Sequence, residues 1–393
     1  MNAASCGNGA FVPGPLCERA PAGQGVLDGV RLAVKDLIDV AGVVTGGGNP
    51  DWQASHGAAT QDAASVAALR AAGARVVGKT VTDELAFSLE GDNAFHGTPR
   101  HPVDAEHLPG GSSSGSAVAV ACGEADLALG TDTGGSVRVP AAFCGVAAMR
   151  PTHGRVPLTG VLPFAPSYDT VGWFARDASL LHDAGQVLLR GDGRGGSAPL
   201  RLCIAADAIA LADPPVREAL LAWATQYGIT TTRQAFDGDW RTWLDAYATL
   251  QGIEIAQQLG PWIRAQQPVF GPSIAKRFAH ALALDPASHA PWQSWRSQAA
   301  SRLIERLAGE AWLLPAAPTL ALHRLAGESQ RAAFYARALA MGALASHAGL
   351  PQLVMPLAQA GTMPVGVSFI AAPGQDERLL DLALALEAQG SFD

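Results

Sequence analysis

The sequence has little charge: of 393 residues only 16% are Asp, Glu, Lys or Arg, the 27 basic residues form no cluster, and the formal net charge is -8. Nucleic-acid binding draws on clustered Lys and Arg, so no nucleic-acid partner is expected. The five cysteines (Cys6, Cys17, Cys122, Cys144, Cys203) are an odd number with no CxxC spacing, a pattern that suits a reducing cytoplasm. The ten histidines contain no HExxH and no compact ligand cluster, so no metal site is expected. No basic stretch followed by an apolar run opens the chain, and no signal peptide is expected. The longest apolar-looking region, residues 338–361, is broken by Ser346, His347, Pro351, Gln352 and Gln359. A buried helix, turn and strand account for it better than a membrane span.

What is present is apolar bulk. A hydrophobic content of 48% over this length supports a large buried core and excludes intrinsic disorder. GVRLAVKDLIDV (29–40) predicts a strand, TQDAASVAALRAAG (60–73) a helix, ARVV (74–77) a strand and VTDELAFS a short helix. SSGSAVAVACG (113–123) predicts a small-residue helix before the strand ADLAL. This alternation implies an α/β fold, a central mixed sheet covered by helices on both faces. The Gly-rich stretch 190–200 reads as a linker or long loop. Helices near 215–227, 241–265 and 292–308 then precede LLPAAP, QLVMP and PVGVSFIA, which read as strands returning to the sheet. We expect one large domain over 1–393, with a core at about 25–190 and 310–390 and a mainly helical cover at about 205–310.

Three motifs match a pattern but not its context. GARVVGKT (73–80) spells a P-loop, yet a helix comes before it and Val76 and Val77 belong to the strand itself, so the glycines cannot cradle a phosphate. GSSSG (111–115) spells a nucleophile elbow centred on Ser113, but the polar HPVDAEHLPGG before it is no buried strand. Ser273 and Lys276 spell S-x-x-K without the partner motifs that this chemistry needs.

GTDTGGSVRVPAAFCG is more promising. Gly134 and Gly135 permit a sharp turn before a helix, which would gather the amides around Thr133, Gly134, Gly135 and Ser136 at one point, as an oxyanion hole requires. A tight turn with a capped helix would look the same.

Taken together, GGSSSGS (110–116), GTDTGGSVRVP and RPTHGRV resemble the amidase signature family, in its order of motifs. AVKDLIDVAG, GKTVTDELAFS, HGTPRHP and SYDTVGWFAR extend the resemblance over about 25–185, and LLPAAP, AGLPQLVMP and PVGVSFIA renew it from about 310. The resemblance implies a hydrolase of linear amides that uses a Ser-Ser-Lys set: Ser136 as nucleophile, Ser112 as a relay held by a cis peptide bond, and Lys35 as base. It implies Ser113 as a helix cap beside Ser112, Asp132 and Arg138 as braces of the nucleophile loop, no cofactor, and a small-molecule amide as partner. It leaves a homodimer open. Periodicity alone places Lys35 on a face with Arg31 and Asp39, as a solvated strand lysine, and Lys79 is its rival. Six of nine tryptophans (Trp223, Trp240, Trp243, Trp262, Trp292, Trp295) fall in the cover, to line an acyl pocket or to pack on the sheet. The closest subgroup is that of the short amidases similar to indole-3-acetamide hydrolases. The alternatives are the glutaminase-like subunit of a tRNA-dependent amidotransferase and a binding module without catalysis.

Overall fold

A computed structural model of the chain describes residues 7–14, 17–189 and 199–389. The Gly-rich stretch noted above lies outside these residues over 190–198. One ten-stranded sheet organises the rest, in the order β2-β1-β3-β5-β4-β9-β10-β8-β6-β7. The strands are β1 (Arg31–Lys35), β2 (Arg75–Thr80), β3 (Leu127–Asp132), β4 (Ala147–Arg150) and β5 (Thr170–Ala175), then β6 (Arg201–Ala205), β7 (Thr232–Arg233), β8 (Glu310–Pro315), β9 (Gln352–Ala360) and β10 (Met363–Ala371). β1 runs parallel to β2 and β3, and β6 parallel to β7 and β8. The pairings through β5, β4, β9 and β10 between those two ends are antiparallel. The sheet is therefore mixed and the fold α/β, as the alternation of elements implied.

The central strands are buried along nearly their whole length because helices cover both faces: β3 and β5 show no exposed residue. One apolar cluster joins Leu32, Val34, Leu127, Leu129 and Trp173 to the helices Ala64–Ala71 and Ala178–Leu188. A second, on the opposite side, joins Ala33, Ala128 and Phe174 to Val118, Val139 and Phe143 from the helices Ser114–Ala121 and Arg138–Cys144. Successive residues of one strand thus face different cores, as the period of two requires.

The 205–310 segment is mainly helical, with long helices at Trp240–Gln258 and His289–Arg306, but it also supplies the edge strand β7. Trp223 packs against Phe369 of the sheet, and Trp243 is fully buried among Phe236, Trp295 and His347. These two tryptophans are packing residues. VTDELAFS forms only a single 3-10 turn, Glu84–Ala86, and GVRLAVKDLIDV stays extended only as far as Lys35. Among the described residues no helix is long and apolar enough to cross a membrane.

Candidate active site

Lys35 is the last residue of β1, flanked on both sides by hydrogen-bonded strands and with no exposed surface. This overturns the solvated reading of its period: a strand covered on both faces has no solvent side. Its Nζ lies 2.7 Å from Ser112 Oγ, 2.9 Å from Ser113 Oγ and 2.8 Å from Thr131 Oγ1. Burial, offset in part by the charges of Asp83, Asp132 and Asp169, pulls the ammonium down to about 7.

Protonated, Lys35 donates to all three hydroxyls. Deprotonated, it keeps two N–H groups and one lone pair, so one hydroxyl must donate to it. Ser113 Oγ–H is directed at the Thr131 carbonyl, at 3.3 Å, whereas Ser112 Oγ has no bonding partner besides Lys35 among the described residues. Ser112 is thus the serine free to pass a proton to the amine. The peptide bond between Gly111 and Ser112 is cis.

Ser113 occupies the N-cap position of the helix Ser114–Ala121, yet its side chain makes no capping bond. The expectation of a capping role is corrected: its hydroxyl is taken up by Lys35 and Thr131. Its backbone N–H donates to the Ser136 carbonyl at 3.2 Å, which ties the serine-rich segment to the GTDTGGS loop.

That loop is organised by Asp132, at the end of β3. Its carboxylate accepts from Arg138 Nη2 at 2.7 Å and Nε at 3.0 Å, from Arg150 Nη1 at 2.7 Å, and from the Gly135 and Val137 amides at 3.0 Å each. Burial alone would raise this carboxyl, but the two guanidiniums and the amides overcome it and hold it far below the usual carboxylate range. Taking one partner from such a buried cluster costs about 3–5 kcal/mol, because the remaining charge is left without compensation. Thr133 Oγ1 donates to Asp169 at 2.7 Å, and its carbonyl accepts from Ser346 Oγ at 2.6 Å.

Gly135 turns the chain with a φ of 135°, a region closed to side chains. Its N–H is committed to Asp132, whereas the N–H groups of Gly134 and Ser136 meet no acceptor among the described residues. Gly342, on the helix Glu328–Ala348, lies so close that a Cβ there would fall 2.0 Å from the Gly134 carbonyl oxygen.

The rival base is engaged elsewhere. Lys79 Nζ donates to the Ile38 carbonyl at 2.6 Å and pairs with Asp36 at 3.1 Å. The P-loop match falls on β2, and Lys276 of the S-x-x-K match is an exposed residue paired with Glu328 at 2.7 Å. Among the described residues no group of three or more His, Cys, Asp or Glu is placed to hold a metal. A cavity of about 320 Å³ bounded by Asp39, Thr45, Trp52 and His56 is separate from the serine–lysine cluster, and none of the three candidate residues lines it.

Sequence reasoning missed Thr131, Arg150, Asp169 and Asp83. Thr131 lies in GTDTGGSVRVP, Arg150 opens RPTHGRV, Asp169 lies in SYDTVGWFAR and Asp83 in GKTVTDELAFS, so all four were inside quoted motifs, but nothing in spacing distinguished a buried partner from an exposed one.

Comparison with known proteins now decides the family. The family described as Amidase matches residues 17–232. Amidase 1 of Arabidopsis thaliana is 37% identical over 92% of this chain and 93% of its own length. The chain belongs to the amidase family. It is a hydrolase acting on carbon–nitrogen amide bonds. A solved crystal structure of an amidase superposes with a TM-score of 0.82 at 31% identity, over 94% of this chain and 86% of that one. A glutamyl-tRNA(Gln) amidotransferase subunit from Thermus thermophilus is 32% identical over 92% of this chain and 84% of its own length.

Proposed function

We propose that the enzyme hydrolyses a small carboxylic amide to the carboxylate and ammonia through an acyl-enzyme on Ser136. The observation that carries this reading is the fully buried Lys35 amine, lowered toward neutrality and in contact with Ser112, the one of its two serine neighbours whose hydroxyl proton has no other acceptor among the described residues. A serine hydroxyl is a weak nucleophile and needs a base within reach. Ser136 Oγ attacks the amide carbon; its proton passes to Ser112 Oγ as the Ser112 proton passes to Lys35 Nζ. The carbonyl electron pair moves to oxygen, where the Gly134 and Ser136 N–H groups receive the charge. Return of the proton to nitrogen breaks the C–N bond and releases ammonia, and water then cleaves the ester by the same relay. Of the amides first considered, Gly135 has the weaker claim, since its N–H is held by Asp132.

An aryl-acetamide or similar small primary amide is the substrate class we favour. Supporting this are the resemblance of the motifs to the short amidases similar to indole-3-acetamide hydrolases and the likeness to Amidase 1. The likeness to an amidotransferase subunit supports a second reading, in which the chain releases ammonia from glutamine for a partner. A panel of indoleacetamide, phenylacetamide, short aliphatic amides and glutamine, assayed for ammonia release with the purified chain and with Ser136→Ala, separates the two. Turnover of aryl-acetamides by the lone chain supports the first reading. Turnover of glutamine alone, or none without added partner proteins, would replace it with the second.

A further inference from the structure

The relay just proposed turns Lys35 from a neutral amine into an ammonium in a place with no exposed surface. Such a charge needs a counter-charge close by, since an unpaired buried ion is strongly disfavoured. Three carboxylates act on Lys35: Asp83, Asp132 from β3, and Asp169 from the loop before β5. Asp132 already faces the guanidiniums of Arg138 and Arg150. Asp169 takes the Thr133 hydroxyl and the Phe164 and Ala165 amides on its two oxygens.

Asp83 differs. It is fully buried; among the described residues its Oδ2 accepts only the Gly91 N–H, at 3.1 Å, and its Oδ1 has no partner. It also lies against the relay serine. Its N–H donates to the Ser112 carbonyl at 3.2 Å, and a Cβ on Gly111 would fall 2.3 Å from Oδ2 and 2.6 Å from Oδ1. The charged and titratable groups around it are Lys35 from β1, Glu90 and Asp92 from the loop 88–93, and Tyr335 from the helix Glu328–Ala348. Glu90 pairs with Arg277 and Arg331, and Asp92 with Arg331, so the charges of both are already matched.

We propose that Asp83 is a positioning residue for the reaction, the counter-charge that lets Lys35 carry the proton taken from Ser136 while the same residue fixes the Ser112 peptide. This rests on the Ser136, Ser112 and Lys35 reading above. Burial raises the Asp83 carboxyl and lowers the Lys35 ammonium, and each charge favours the other. Without the Asp83 charge, Lys35 becomes a weaker base that is neutral over a wider pH range.

The test is the rate at which a fluorophosphonate labels Ser136 as a function of pH, in the full chain and in Asp83→Asn, with melting temperature as a control for folding. The expected result is a plateau rate lower by about tenfold or more, and an acid limb moved to lower pH by about one unit. A purely structural role would lower the rate without moving the limb. An unmoved limb, or labelling at the wild-type rate, would overturn the proposal. If Asp83→Asn does not fold, Asp83→Ala with formate in the buffer gives the same reading: formate must restore the labelling rate and methanol must not. Absence of any label on Ser136 in the unaltered chain would instead sink the Ser136 mechanism itself.

Discussion

At the scale of single residues, the two candidate lysines are separated by their surroundings. Lys35 touches three hydroxyls and Lys79 holds a carboxylate and a carbonyl. Lys35→Ala should lower turnover by about 10²-fold or more, the range of a lost general base. Lys79→Ala should act chiefly through stability, since it strips Asp36 of its buried partner, and steady-state kinetics beside thermal melting separates the two effects. The pH dependence follows from the lowered Lys35 group. Its amine must be unprotonated to accept, so kcat should rise with pH through about 7 and not through the usual lysine range near 10.5. A rate still climbing tenfold per unit above pH 9 would show that the base is not an amine lowered toward neutrality as Lys35 is. None of this environment was visible in VRLAVKDLIDV, where alternation placed Lys35 on a wet face. The resemblance in motifs singled it out, and the burial of both faces of β1 explains why the period misled.

At the scale of elements, the GTDTGGS loop is held between the end of β3 and the helix Glu328–Ala348. Gly342 of that helix admits the Gly134 carbonyl at a distance no side chain allows. Gly342→Ala should therefore shift the loop, reducing kcat by an order of magnitude or more with a smaller loss of melting temperature; kinetics and calorimetry on one preparation check this. Equal kcat in the variant would show that the loop is not positioned by this contact. Much of the element pattern was legible. Helices at 60–73 and 113–123 and strands in QLVMP and PVGVSFIA appear close to where composition placed them, although neither helix has a side-chain cap at its N-terminus. Less legible were Ser113, whose position is that of a cap but whose hydroxyl is drawn to Lys35, and β7, a two-residue strand too short to leave a pattern.

At the scale of the whole molecule, a buried ion cluster at the centre of the sheet links folding to pH. The Asp132 carboxyl is held far below its unfolded value of about 3.9, so its contribution to stability is present above that value and is lost as the pH falls through it toward the folded one. Acid denaturation followed by circular dichroism should thus begin near pH 4. Asp132→Asn should flatten that dependence while lowering stability at neutral pH. The sequence announced the cluster only in part, as Asp132 and Arg138 stand six residues apart in one motif, whereas Arg150 reaches them through the pairing of β4 and β5. Long-range partners of this kind are set by topology and leave no local spacing.

Ser136, and none of the four serines of GGSSSGS, is expected to attack the substrate. Intact-mass and peptide analysis after reaction with a fluorophosphonate tests it most directly. The expected result is a single adduct on the peptide carrying Ser136, absent in Ser136→Ala and slow to form in Ser112→Ala. An adduct on Ser112 or Ser113, or none in an enzyme that still releases ammonia from amides, would contradict the account.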